Sequence, residues 1–134
     1  MGYRSDVAVA IYGEEGQMAA FIAATRLQEN VAEVFTECEM YPYLHGDTPM
    51  VMLTAEFSDV KWYDGYPDVD RWNRFIVLAQ DHDDHINCEY ARIGEENEDT
   101  EFQFNGPDVH FHLSIIREIS VDLPQKVQPM AGLV

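Results

Sequence analysis

The chain has 134 residues and carries 25 Asp and Glu against 8 Lys and Arg, a formal net charge of -17. So few basic residues argue against direct binding to nucleic acid, because phosphate contacts depend on Lys and Arg. The apolar fraction of 46% and the aromatic fraction of 12% argue against a disordered acidic tail and predict one folded domain.

The first half of the chain contains three clear segments. Residues 6–12 (DVAVAIY) predict a buried strand, and residues 14–30 keep helical spacing of apolar side chains. Residues 31–43 fit either a short helix or a strand. A turn at 46–49 precedes a predicted strand at 50–57.

The second half begins with a predicted helix at 68–79, whose apolar residues fall on one side. Alternation then predicts strands at 86–93, 100–104 and 109–121. Residues 124–134 predict a mobile C-terminal tail.

This order of elements predicts an α+β fold over residues 1–123, an antiparallel sheet with two main helices packed on one face. A free sheet edge would allow two copies to pair as a homodimer.

Cys38 and Cys88 form no paired motif and predict reduced thiols. We expect no signal peptide and no membrane contact, since no apolar segment approaches the length of a membrane span.

Acidic residues cluster most densely between positions 81 and 101, which predicts a partner-binding surface there. Its candidate residues are Asp81, Asp83, Asp84, Glu89, Glu95, Glu96, Glu98, Asp99 and Glu101. A domain of this size is about 35 Å across, and duplex DNA of that length carries roughly 20 phosphate charges. The net charge is of that order, so one acidic face would resemble DNA electrostatically. The alternative, given equal weight, is that the acidic surface only keeps the protein soluble.

The DHDDH run at 81–85 is a candidate metal site. His82 and His85 are three residues apart and share one side of a helix that continues through them. Imidazole with carboxylate suits zinc, manganese or iron, which a small metallo-hydrolase would use. A solvated connection between helix and strand explains the run equally well.

Other enzymatic interpretations are weaker, since no nucleophile or phosphate-loop motif is present.

The aromatic segment 62–69 (WYDGYPDV) either closes the core beneath a loop or forms a partner-binding edge, and the first is favoured.

Three segments resemble a group of small acidic proteins of tailed bacteriophages. They are MGYRSDV at 1–7, KWYDGYPDV at 61–69 and RIGEE at 92–96, in matching order. The resemblance implies a protein made in the cytoplasm of an infected bacterial host and aimed at host machinery. A protein similar to this group is associated with inhibition of host DNA gyrase.

The sequence therefore predicts a non-enzymatic DNA mimic without a cofactor, whose partner is a host DNA-binding protein, with DNA gyrase the first candidate. The alternatives are the metal-binding protein and a phage structural or assembly protein with a merely solubilising acidic surface.

Overall fold

A computed structural model describes residues 3–82, 85–96, 98–107, 109, 112–116, 118–121 and 123–124. The first half contains strand β1 (Ser5–Glu14), helix α1 (Glu15–Arg26), a 3₁₀ helix (Ala32–Glu37), and strands β2 (Glu39–His45) and β3 (Thr48–Val60). The second half contains helix α2 (Pro67–His82) and strands β4 (Asn87–Gly94), β5 (Thr100–Asn105), β6 (Leu113–Ile116) and β7 (Glu118–Val121). The predicted tail lies outside the described residues, apart from its first residue.

Five strands form an antiparallel sheet in the order β2-β3-β1-β4-β5. Strand β1 is central and is buried along almost its whole length. Both of its faces are covered, which explains why residues 7–12 form a continuous apolar run instead of alternating.

Both main helices cover the same face of the sheet. Val7, Val9 and Ile11 of β1 point to that face and share one apolar core with side chains of both helices. The helix residues in this core are Met18, Phe21, Ile22, Trp72, Phe75, Ile76 and Ala79. The predicted fold class, an α+β fold with an antiparallel sheet and both helices on one face, is confirmed.

The opposite face carries a second, smaller core that the sequence did not predict. Ala8, Ala10 and Tyr12 of β1 pack there with Leu113 of β6, and Ile119 and Val121 of β7 lie against them. The β6–β7 hairpin thus forms a third layer. It depends on this packing against the sheet, because an isolated two-stranded hairpin is barely stable.

The prediction of one strand over 109–121 is wrong. The chain reverses between Ile116 and Glu118, which pair with each other across the hairpin. Ile116 interrupts the alternation of apolar and polar residues, but Ile119 and Val121 resume it in the same phase as Leu113 and Ile115, so the pattern fits one strand.

The other helices and strands begin and end close to the residues predicted from the sequence. The ambiguous segment 31–43 divides into the 3₁₀ helix and β2, so it contains both predicted alternatives. Helix α2 extends to His82. Among the described residues, no helix combines the length and the apolar character needed to cross a membrane.

Candidate interaction surface

The predicted surface at 81–101 is divided by strand β4. Asp81 lies at the end of α2, before β4 begins at Asn87, whereas Glu95, Glu96 and Glu98 follow its end at Gly94. Eight strand residues span about 25 Å. The structure therefore places the two groups of carboxylates at opposite ends of the sheet; Asp83 and Asp84 lie outside the described residues.

Glu89 is fully buried, so the prediction that it contacts a partner is wrong. Its position opposite Ala10 of β1 turns it toward the face covered by the β6–β7 hairpin. There it accepts hydrogen bonds from the Tyr12 hydroxyl (2.5 Å) and from the backbone amides of His112 and Leu113 (3.1 Å each). Glu89 thus binds the hairpin to the sheet.

Arg92 organises the carboxylates that follow β4. Its Nη atoms donate to both oxygens of Asp99 (3.2 and 2.5 Å), and its Nε donates to Glu101 (2.7 Å). Nη1 also donates to the hydroxyl of Ser5 (3.1 Å). The Arg92 side chain is only 12% exposed. Such planar, two-pronged pairing is the strong form of ion pair in proteins.

Tyr3 binds the start of the chain to the same cluster. Its hydroxyl donates to Asp99 (2.6 Å) and accepts a hydrogen bond from the Glu96 amide (3.0 Å), while its own amide donates to the Tyr63 hydroxyl. The hydrogen bond from Arg92, followed by that from Tyr3, lowers the pKa of the Asp99 carboxyl below its usual value. Asp99 is therefore an ionised structural group at neutral pH.

A second set of contacts fixes the carboxylates beside β1. The Asp59 amide donates to Asp6 (2.9 Å), and the Arg4 amide donates to Glu95 (3.1 Å). The Arg4 guanidinium donates to the carbonyl of Asp59 (3.3 Å). Asp59 adopts a positive φ of 55°, a conformation that Asp tolerates better than most residues.

Carboxylates from four chain segments lie at this end of the sheet, which we call the acidic end. Its members are Asp6, Asp59, Asp64, Glu95, Glu96, Glu98, Asp99 and Glu101. All are exposed except Asp99, which is partly buried. Arg4, Lys61 and Arg92 are the nearby cations among the described residues, and Arg92 is committed to Asp99 and Glu101.

A cleft of about 570 Å³ opens beside the acidic end, between α2 and β5. Trp62, Tyr63 and Tyr90 supply its aromatic lining, and Arg92 with its carboxylates lies at one side. Trp62 both packs against Phe57 of the core (5.6 Å between ring centroids) and lines this cleft. The packing of Trp62 agrees with the favoured interpretation that segment 62–69 closes the core, and the partner-binding edge stays a prediction.

The described residues contain no group of three or more His, Cys, Asp or Glu side chains arranged to hold a metal ion. The His82 ring packs against Phe21 instead (5.4 Å between ring centroids), and His85 lines a separate cavity at the opposite end of the sheet. The described part of the DHDDH run thus offers no support for the metal hypothesis.

Cys38 and Cys88 form no disulfide. Burial raises the pKa of each thiol to about 12, so both stay protonated and unreactive at neutral pH.

Comparisons of the chain with protein-family models, curated proteins and solved structures found no match.

Proposed function

We propose that this protein mimics DNA and inhibits a host DNA-binding enzyme, with bacterial DNA gyrase as the first candidate. The observation that carries the proposal is the acidic end, where carboxylates from separate chain segments lie together and those of Asp6, Glu95, Asp99 and Glu101 accept hydrogen bonds. The resemblance to acidic phage proteins supports the choice of a host enzyme as the target.

The fixed carboxylates are suited to a basic DNA-binding groove. The carboxylates of Asp6 and Glu95 each accept a hydrogen bond from a neighbouring backbone amide, so these two side chains lose little freedom when a partner binds. Complementary charge speeds association and excludes acidic partners. Inhibition follows from occupancy alone, without turnover and without a cofactor.

The charge excess also sets the salt dependence of binding. Carboxylates that replace phosphates attract Lys and Arg of the enzyme, and added salt weakens this attraction because charges more than about 10 Å apart are largely screened at 0.1 M. We therefore expect tight binding at low ionic strength and release at high ionic strength.

The first experiment is capture from bacterial lysate on immobilised protein, eluted by a salt gradient and, separately, by duplex DNA. We expect a DNA enzyme such as gyrase to be retained at low salt and released by either treatment. Retention of no DNA-binding protein would contradict the proposal and favour a merely solubilising role for the charge.

A further inference from the structure

We propose that the cleft between α2 and β5 binds the guanidinium group of an arginine side chain presented by the partner. This inference rests on the proposed function and names the group that the partner places beside the acidic end.

The cleft exists because neither helix fully covers the last strand of the sheet. The pairing of Tyr90 with Gln103 and of Arg92 with Glu101 directs the two β5 side chains toward the helix face. Asn73 and Gln80 of α2 line the opposite wall. The volume of about 570 Å³ lies within the range of small-ligand sites.

The aromatic lining suits a flat cation. The Trp62 indole donates a hydrogen bond to the Tyr90 hydroxyl (3.0 Å), and its ring packs against Phe57, so its orientation is fixed from two sides. Guanidinium groups stack on such rings, and the attraction is stronger where water is excluded.

The charge in the cleft excludes anions. Three carboxylates, Asp64, Asp99 and Glu101, line it against the single guanidinium of Arg92. Arg92 already donates to Asp99, Glu101 and Ser5, so its charge is compensated inside the protein. The lining keeps a net negative charge for an incoming cation.

Two of these carboxylates, Glu101 and Asp64, both affect the pKa of the Tyr90 hydroxyl. Burial first, then Glu101, and to the smallest extent Asp64 raise the pKa of Tyr90 to about 12, against the opposing effects of Trp62 and Arg92. Tyr90 therefore stays neutral, and both carboxylates lie close enough to the cleft interior to meet a bound cation.

The polar groups of the lining favour guanidinium over ammonium. The side-chain carbonyls of Asn73, Gln80 and Gln103 add hydrogen-bond acceptors around the carboxylates. A planar fork of five donors uses several acceptors at once, whereas ammonium is a compact and strongly hydrated charge. Arginine is also a common phosphate-contacting residue of DNA-binding surfaces.

The test is a titration with N-acetylarginine amide at constant ionic strength, followed by tryptophan fluorescence. Trp72 is fully buried, so the signal is expected from Trp62 and is expected to be lost in Trp62→Phe. N-acetylcitrulline amide, which has nearly the same shape without the charge, is the control ligand. We expect a saturable change in fluorescence with the arginine compound and at least tenfold weaker binding of the citrulline compound. N-acetyllysine amide is also expected to bind more weakly than the arginine compound, because its ammonium group is not a planar fork of donors.

The exposed Asp64 is the residue to change, since none of the contacts that fix the acidic end uses it. Asp64→Asn is expected to weaken arginine binding roughly tenfold, in line with loss of a charge-assisted hydrogen bond. Asp47→Asn, an equal charge change in the β2–β3 turn, is expected to have no effect.

Equal responses to arginine and citrulline compounds, or no saturable response, would overturn the inference. Because this titration contains no partner, such a result together with salt-sensitive capture of a DNA enzyme would leave the proposed function intact. Asp64→Asn could also lose affinity for the arginine compound and still retain the DNA enzyme as well as wild type does. The group bound in the cleft would then not come from the partner, and the inference would be wrong.

Discussion

Two glutamates in one short stretch of sequence have opposite roles, and strand register decides between them. Glu89 points to the hairpin face and is fully buried, whereas Glu95 lies past the end of β4 and is exposed. A buried carboxylate is tolerated where hydrogen bonds replace its water, as Tyr12 and two backbone amides do for Glu89.

We expect Glu89→Gln to destabilise the protein by about 1–3 kcal/mol, because the new NH₂ group faces hydrogen-bond donors and leaves one unsatisfied. Urea unfolding measures this free energy. Glu56→Gln is the control, since Glu56 is exposed on β3 and its loss is expected to change stability by less than about 0.5 kcal/mol. Equal stabilities of the two variants would contradict a structural role for Glu89.

Asp99 gives the protein a defined acid sensitivity. Its pKa in the folded state is held below the unfolded value of about 3.9 by Arg92 and Tyr3. The unfolded chain therefore binds protons first, and the stabilisation, present above that value, is lost as pH falls through the folded pKa.

The prediction is that the free energy of unfolding of wild type exceeds that of Asp99→Asn at pH 7, and that the gap narrows below about pH 4. Unfolding curves between pH 7 and pH 2.5 measure it, with Asp47→Asn as the control for general charge effects. A gap that stays constant over this range would show that Asp99 is not held ionised by Arg92.

At the scale of elements, Gly94 allows the β4–β5 connection to approach the start of the chain. A Cβ at this position would collide with the Asp99 carboxylate and the Tyr3 ring. The contact between residues 3 and 99 therefore requires glycine here.

We expect Gly94→Ala to destabilise the protein by about 1–3 kcal/mol, as overpacking does elsewhere. Gly16→Ala is the matched control, because nothing lies near its Cβ in the first turn of α1 and alanine favours helix. Gly16→Ala should be neutral or stabilising by up to about 1 kcal/mol. Thermal unfolding measures the stability of both variants relative to wild type. Unchanged stability of Gly94→Ala would contradict the close packing of residue 94 against Tyr3 and Asp99.

The predictable elements were those whose pattern is local. Apolar spacing predicts α1 and α2, and continuous or alternating runs predict β1, β3, β4 and β5. The β6–β7 hairpin was missed because its apolar side chains keep nearly the same alternation through the reversal, so the pattern fits one strand as well as two.

The candidate site was only partly predictable, for a physical reason. The density of carboxylates near 95–101 is visible in the sequence, but Asp6 and Asp59 join them through sheet pairing over more than 50 residues. The contact of Tyr3 with Asp99 spans 96 residues and has no local signature. Gly94 in the RIGEE segment was the one nearby signal of a close approach.

Over the whole molecule, acidic residues are not confined to one end. Asp68 lies on the helical layer, and Glu14, Glu15 and Asp47 lie at the end opposite the acidic end. The acidic end differs because its carboxylates come from several segments and those of Asp6, Glu95, Asp99 and Glu101 accept hydrogen bonds. Position, and not total charge, is therefore the variable that a decisive experiment has to isolate.

That experiment is displacement of labelled duplex DNA from purified gyrase by this protein, measured by fluorescence anisotropy at several salt concentrations. The site variant is Glu95→Gln with Glu96→Gln and Glu98→Gln, which spares the structural Asp99. The control is Glu14→Gln with Glu15→Gln and Asp47→Asn, which removes equal charge at the opposite end. We predict displacement by wild type and control, and at least about tenfold weaker, less salt-dependent displacement by the site variant. No displacement by wild type at low salt would contradict mimicry of DNA at gyrase, and equal weakening of both variants would contradict the acidic end as the surface that binds.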